Sequence, residues 1–298
     1  MILVVGATGL LGGEICRRLA AAGKPVRALV RGTADPAKVD ELERLGAALV
    51  RGDLKNRASL DAACRGIDTV ITTASTTFSR QDGDSIQTVD LEGQTRLVDA
   101  AQAAAVPRFM YVSYSHGIDM ECPLATAKRS VEGHVKRSGM TYTILAPSVF
   151  MEVWLSPALG FDAANAQARI YGSGTNPISW ISLGDVAQFA VLSLDHPAAR
   201  NATLELGGPA ALSPLEVVRA FEQSGGRPFR VEHVPEETLR AQRAAATDPL
   251  QQTFAALMLA CALGDAIDMR TTLKTFPVPL LSVQEYARGG TQARGHAH

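Results

Sequence analysis

Cysteine is scarce in this 298-residue chain, and its four copies, Cys16, Cys64, Cys122 and Cys261, lie far apart with no CxxC spacing. Neither a zinc site nor a disulfide framework is therefore expected, and each thiol reads as a small buried hydrophobe. The six histidines show no HExxH or paired-ligand spacing, so no metal site is expected. His296 and His298 fall in a Gly/Ala/His tail that reads as frayed. No block of one charge stands out: 29 basic residues face 30 acidic ones, which argues against a surface built to neutralise nucleic-acid phosphates. No apolar run reaches the roughly 20 residues that span a bilayer. The opening Met1-Ile-Leu-Val-Val meets Gly6 at once, without the basic and apolar regions of a secretory signal, so a cytoplasmic protein is expected. Internal repeats, low-complexity tracts and proline-rich linkers are absent too.

What remains is a chain of 46% hydrophobic and 20% charged residues, too apolar for disorder and long enough for one large or two intertwined domains. Short apolar runs at 2–5, 26–30, 48–50, 69–72, 109–112 and 142–145 alternate with helical patterns at 11–22, 36–45, 59–64, 85–105 and 126–138. Continuous apolar strands separated by amphipathic helices predict an α/β fold, a doubly wound parallel Rossmann-type sheet covered on both faces. After Pro147 the rhythm breaks. A helical stretch at 150–155, a Gly/Ser/Asn/Pro loop at 172–177, a short strand at 178–181, a helix at 185–194 and a further strand at 203–206 are expected. Ser213-Pro214 supplies an N-cap and an N1 proline for a helix, and two more helices are expected within 235–246 and 249–262. The division expected is a first domain over 1–149, rejoined by 178–207, and a smaller, mostly helical lobe from 150–177 and 208–298.

The residues at 6–12, Gly6-Ala7-Thr8-Gly9-Leu10-Leu11-Gly12, follow the first strand directly and open the first helix. Glycines are needed there for a sharp turn and for close approach of backbone to a pyrophosphate, whose charge the helix N-terminal amides face. A glycine triplet alone is weak, but strand before, helix after and a place at the head of a βαβ unit make it a dinucleotide-binding candidate.

The spacing is GxxGxxG, and with it the chain resembles the atypical short-chain dehydrogenase/reductase superfamily, in its NmrA-like NAD(P)-binding branch. The pieces carrying the resemblance are Gly6–Gly12, Gly52-Asp53-Leu54, Tyr111-Val112-Ser113, Lys128 with Glu132, the run 142–147 and Asp185-Val186-Ala187. They cover roughly residues 1–207. At the end of the second strand, Val30 is followed by Arg31-Gly32-Thr33, with no acid until Asp35. An acid there would bond the adenosine ribose of NAD, whereas an arginine suits the 2′-phosphate of NADP. Arg31 read alone is a solvated loop residue; joined to the glycine turn it favours NADP(H) over NAD(H).

The resemblance also implies that Asp53 and Leu54 line the adenine pocket, with Asp53 open to a second reading as a strand-end cap. It implies that Thr73 and Ala74 let ribose and phosphates pass, and that Pro147 and Ser148 hold the nicotinamide amide. Of the superfamily's catalytic serine, tyrosine and lysine, Ser113 and Lys128 stand in place, but Leu124 occupies the tyrosine position. Lys128 then holds the nicotinamide ribose and can move a proton. Tyr114 and His116 follow Ser113 as substitute acids, His116 also reading as a solvated loop residue. Phe150, Met151 and Trp154 are candidates for the substrate wall and equally for core. The segment 254–263 reads as core, with a lid or homodimer helix as alternatives.

Two functions stay open. One is an NADPH-dependent reductase acting on a small apolar acceptor, such as a quinone or conjugated carbonyl, whose reduced anion needs little help from an acid. The other is a non-catalytic NADP(H)-sensing regulator or assembly factor, which the loss of the tyrosine would suit.

Overall fold

The computed structural model describes residues 1–77, 80–118 and 120–292; the tail with His296 and His298 lies outside them. The strands are β1 (Ile2–Val5), β2 (Val26–Val30), β3 (Ala48–Arg51), β4 (Thr69–Thr72), β5 (Arg108–Val112), β6 (Thr141–Pro147), β7 (Phe161–Asp162), β8 (Gln167–Tyr171), β9 (Ala202–Leu206) and β10 (Arg230–Val234). The α-helices are α1 (Leu10–Ala21), α2 (Pro36–Arg44), α3 (Arg57–Cys64), α4 (Glu92–Ala103), α5 (Pro123–Arg137), α6 (Met151–Trp154), α7 (Leu183–Ser193), α8 (Pro214–Gly225), α9 (Glu236–Ala245), α10 (Pro249–Leu263), α11 (Arg270–Thr275) and α12 (Val283–Gln292).

Seven strands form one sheet in the order β3-β2-β1-β4-β5-β6-β9, and the pairs from β3 through β6 are parallel. The doubly wound α/β fold is therefore present. Its central strands are covered on both faces: β1 and β4 are buried at every position. Strand order reverses between β1 and β4, the switch point where such sheets bind ligands at their carboxyl ends.

The chain divides into two compact units. The first holds Met1–Ser113, Cys122–Ala146 and Val186–Leu204; the second holds Tyr114–Glu121, Pro147–Asp185 and the chain from Glu205 on. Two local contacts explain why 114–121 groups with the second unit. Ser115 N donates to Pro147 O at 2.8 Å, and its hydroxyl donates to Asp265 Oδ1 at 3.0 Å. Thr72, on β4, and Gln94, on α4, share a buried hydrogen bond of 3.0 Å, and Gln94 Nε2 also donates to Ala74 O at 2.8 Å.

Three elements differ from expectation. The helical pattern at 85–105 is split: a π-helical turn, Ile86–Leu91, capped reciprocally by Ser85 and Thr88, precedes α4. No ladder forms at 178–181; Ile178 pairs with Leu212, Ser179 N donates to Asp265 O, and Ile181 N donates to Val149 O, so three segments share its hydrogen bonds. The second unit, expected to be helical, also contains the sheet β10-β8-β7. β8 does alternate, with Ala168 and Ile170 inward and Gln167 and Arg169 outward, but β10 is largely exposed and offers no apolar stripe to read. The segment 254–263 lies in α10, whose Ala260 and Cys261 enter the main core of this unit.

The tightest point of the first unit is the β1–α1 turn. A Cβ on Gly12 would stand 2.1 Å from Gly6 O, contact between backbone and backbone that no rotamer relieves. Gly12→Ala should therefore lower stability by about 3 kcal/mol, read as a reduced denaturant midpoint at unchanged m-value.

Candidate functional site

The glycine turn builds an anion cradle from the bottom up. Gly6 sits at φ +85°, and a Cβ there would press 2.7 Å from Thr73 Oγ1 and 2.9 Å from Ala74 N. Gly9 N donates to Gly6 O at 2.9 Å, closing the turn. Gly9 caps α1 at φ −80°, ψ 168°, with no side-chain hydrogen bond to the first amides of the helix. Those amides are left for an outside acceptor, as a pyrophosphate requires. Gly9 and Leu10 are exposed, Leu10 to 67%, Thr8 is half-buried, and Leu11 and Gly12 turn inward. Thr73 N donates to Val5 O at 3.0 Å, so the small residues 73–74 run alongside the turn. The arrangement fits the dinucleotide that the motif implies.

At the ends of β2 and β3 the polar groups are engaged. Arg31 is ion-paired to Asp84 at 2.6 Å. Asp53 Oδ1 accepts from Lys55 N at 2.7 Å, the strand-end turn of its second reading, and Leu54 is buried in the core. Neither Asp84 nor Lys55 carries a motif; only the fold brings them to Arg31.

The catalytic candidates of the first unit are buried and mutually held. α5 starts cleanly, with Cys122 as N-cap and Pro123 at its first position, and places Leu124, Lys128 and Glu132 on its buried side. Lys128 is 5% exposed; its Nζ donates to Val112 O at 3.0 Å and stands 5.0 Å from the centre of the Tyr111 ring. A solvated surface lysine is thereby excluded. Burial holds its pKa below the ordinary lysine value, against the opposing pull of Asp90 and Glu132. Ser113 donates its hydroxyl hydrogen to Glu132 Oε1 at 2.5 Å and accepts from Arg129 Nη1 at 3.1 Å. Arg129 also bonds Glu132 directly. Sequence reading missed Asp90, on the π-helical turn: fully buried, it takes two bonds from Thr76 at one oxygen, while Oδ1 has no hydrogen-bond partner among the described residues. Its one signal is an acid inside the apolar run Val89-Asp90-Leu91.

In the second unit, Tyr114 is half-buried, and exposed His116 bonds Glu205 through Nδ1. Pro147 and Ser148 are buried; Ser148 N donates to Leu206 O at 2.8 Å, and its hydroxyl has no partner among the described residues. Met151 is fully buried in the core of this unit, and Phe150 is half-buried. Trp154 meets Tyr171 edge to face at 6.4 Å and lines, with Phe161, Tyr171 and Trp180, a cavity of about 30 Å³. Among the described residues no group of acids, histidines and cysteines could hold a metal, and no helix is long and apolar enough to cross a membrane.

A strand–glycine turn–helix cradle at the switch point of a doubly wound sheet defines a dinucleotide-binding α/β protein. The model of the NmrA-like family matches residues 1–271, and the chain belongs to that family. It is 33% identical over 286 residues to the isoflavone reductase homolog IRL of Zea mays, covering 90% of this chain and 86% of that one. It is 34% identical over 233 residues to the NAD(P)H azoreductase of Xenophilus azovorans, covering 77% and 76%. The photosystem II assembly factor Ycf39 of Trieres chinensis is 30% identical over 240 residues, covering 78% and 72%. The fold is that of the NADPH-dependent quinone oxidoreductase of Escherichia coli complexed with NADPH, at TM-score 0.78 and 22% identity, covering 98% of this chain and 100% of that one.

Two outcomes are expected. Gly9 has a backbone conformation open to any residue, and its Cβ would meet only Gly6 O, at 3.1 Å. Gly9→Val should therefore keep the fold, by circular dichroism, while losing NADPH binding by calorimetry. For Lys128, the unfolded chain binds its proton more tightly than the folded one. Stability should thus rise with pH between the folded-state pKa and the ordinary value of 10.5, and Lys128→Met should flatten that rise in urea melts across pH.

Proposed function

We propose that this protein is an NADPH-dependent reductase that delivers hydride to a small apolar acceptor, a quinone or a conjugated carbonyl. The observation that carries the acceptor class is Leu124, only 4% exposed, in the position of the superfamily's phenolic acid. Ser113 does not make good the loss, since its proton is already given to Glu132. Reductase names among relatives at 33% and 34% identity support the hydride chemistry.

The bound nucleotide supplies the hydride. The glycine turn and the open end of α1 hold the pyrophosphate, and Arg31 takes the adenosine 2′-phosphate. Lys128, fixed by Val112 O, holds the nicotinamide ribose; the resemblance implies that backbone groups at Pro147 and Ser148 hold the carboxamide. Simple ketones become alkoxides and need a proton in the transition state. A reduced quinone is a phenolate-like anion, with a pKa near ~10, and does not. The second reading, an NADP(H)-sensing assembly factor, is favoured by the same Leu124 and by the Ycf39 relative.

A panel of acceptors with NADPH, followed at the nicotinamide absorbance, separates the two. The reductase should turn over quinones fast, activated enones more slowly and simple ketones negligibly. Lys128→Ala should lower quinone turnover. Leu124→Tyr should help ketones more than quinones, toward the ~10²–10⁴-fold that general acids contribute. Brisk ketone reduction by the unaltered protein would reject the missing-acid account and turn attention to Tyr114. Tight NADPH binding with no turnover of any acceptor would instead favour the sensor.

A further inference from the structure

Near the carboxyl ends of β2 and β3 two cations, Arg31 and Lys55, share a single carboxylate that lies beneath them. Arg31 Nη1 donates to Asp84 Oδ2 at 2.6 Å, and Lys55 Nζ donates to Asp84 Oδ1. The side chain of Asp84 is 1% exposed, against 30% for Arg31 and 29% for Lys55. The carboxylate is thus the buried floor and the cations the solvent side of the cluster. Asp84 is itself fixed: Gln81 N donates to Oδ2 at 2.9 Å, and Gly83, at φ +79°, turns the chain into place beside it. These bonds hold the Asp84 carboxyl below the usual carboxylate range in spite of its burial, so it stays charged near neutral pH. Lys55 is anchored from behind by its own N–H on Asp53, and Arg51 Nη1 donates to Arg31 O at 3.0 Å. Arg31 uses only Nη1 on Asp84; its Nε and Nη2 have no partner among the described residues.

We propose that Lys55 is the second cation of the site for the adenosine 2′-phosphate, and that Asp84 is the positioning residue that holds Arg31 and Lys55 ready for it. The inference rests on the NADP(H) reading above and extends it to residues that no motif marks. The ligand chemistry is a phosphomonoester, whose charge of roughly −1.5 to −2 near neutral pH is matched better by two cations than by one. Long basic side chains lose rotamer freedom when ordered, and the ion triad orders both before the ligand arrives. β2 and β3 are adjacent and parallel, with Val30 opposite Arg51, so the chain leaves both strands on the same edge of the sheet, the edge the glycine turn occupies after β1.

The test uses the full chain and two probes that differ only at the group in question, adenosine 2′,5′-bisphosphate and 5′-AMP, titrated by calorimetry. The unaltered protein should prefer the bisphosphate. Lys55→Met should weaken the bisphosphate about ten- to hundredfold, a charge-assisted bond, and leave 5′-AMP unchanged. Lys55→Arg should retain most of the preference. Asp84→Asn should reduce the preference less than Lys55→Met does, and should add little on top of it, because the carboxylate acts through the cations. Full bisphosphate affinity in folded Lys55→Met would overturn the assignment of Lys55. Tighter bisphosphate binding by Asp84→Asn would overturn the positioning role, showing a competitor in its place. An unaltered protein that does not distinguish the probes would strike instead at the NADP(H) reading itself.

Discussion

Between β1 and α1 the chain passes so close to itself that side chains are excluded, a Cβ on Gly12 falling 2.1 Å from Gly6 O and one on Gly6 falling 2.7 Å from Thr73 Oγ1. That closeness fixes where α1 begins and leaves its first amides uncapped. It also brings the residues after β4 beside the turn. The same constraint serves stability and binding through different glycines: a Cβ on Gly12 would collide with backbone at 2.1 Å, whereas one on exposed Gly9 would meet only Gly6 O, at 3.1 Å. A nucleotide is thus received by a surface already rigid for reasons of packing.

The sheet and its cradle were legible in the amino-acid sequence because they depend on local pattern. Parallel strands buried on both faces must be apolar throughout, and a dinucleotide turn must be glycine-rich; both signals lie within a few residues of their consequence. The ion triad was not legible. Arg31 and Asp84 are 53 residues apart, and nothing near either forecasts the other. Asp90 was hidden for another reason, since a π-helical turn follows no periodicity that distinguishes it from an ordinary helix start. In the second unit, β10 escaped because a largely exposed edge strand needs no apolar stripe.

The buried polar groups around Ser113 bear on what the site can do. Glu132, Arg129 and Ser113 satisfy one another, so none of these charges is left bare in a low-dielectric interior, where an unpaired one would be costly. That mutual satisfaction removes the serine proton from use. Lys128 is different in kind, a cation that donates to the backbone carbonyl of Val112 and which burial inclines toward neutrality.

The burial of the cysteines makes them internal clocks. Burial pushes the thiols of Cys16 and Cys64 up to about 12 and about 11, and raises that of Cys261 as well. A thiol so placed reacts with an alkylating reagent only after the surrounding structure opens, so its labelling rate reports local unfolding. Cys16 and Cys64 belong to the first unit and Cys261 to the second, which lets one chemistry time the opening of each unit separately. Cys16 lies in α1, four residues after Gly12, so a nucleotide that stiffens the start of that helix would slow its labelling without touching the thiol.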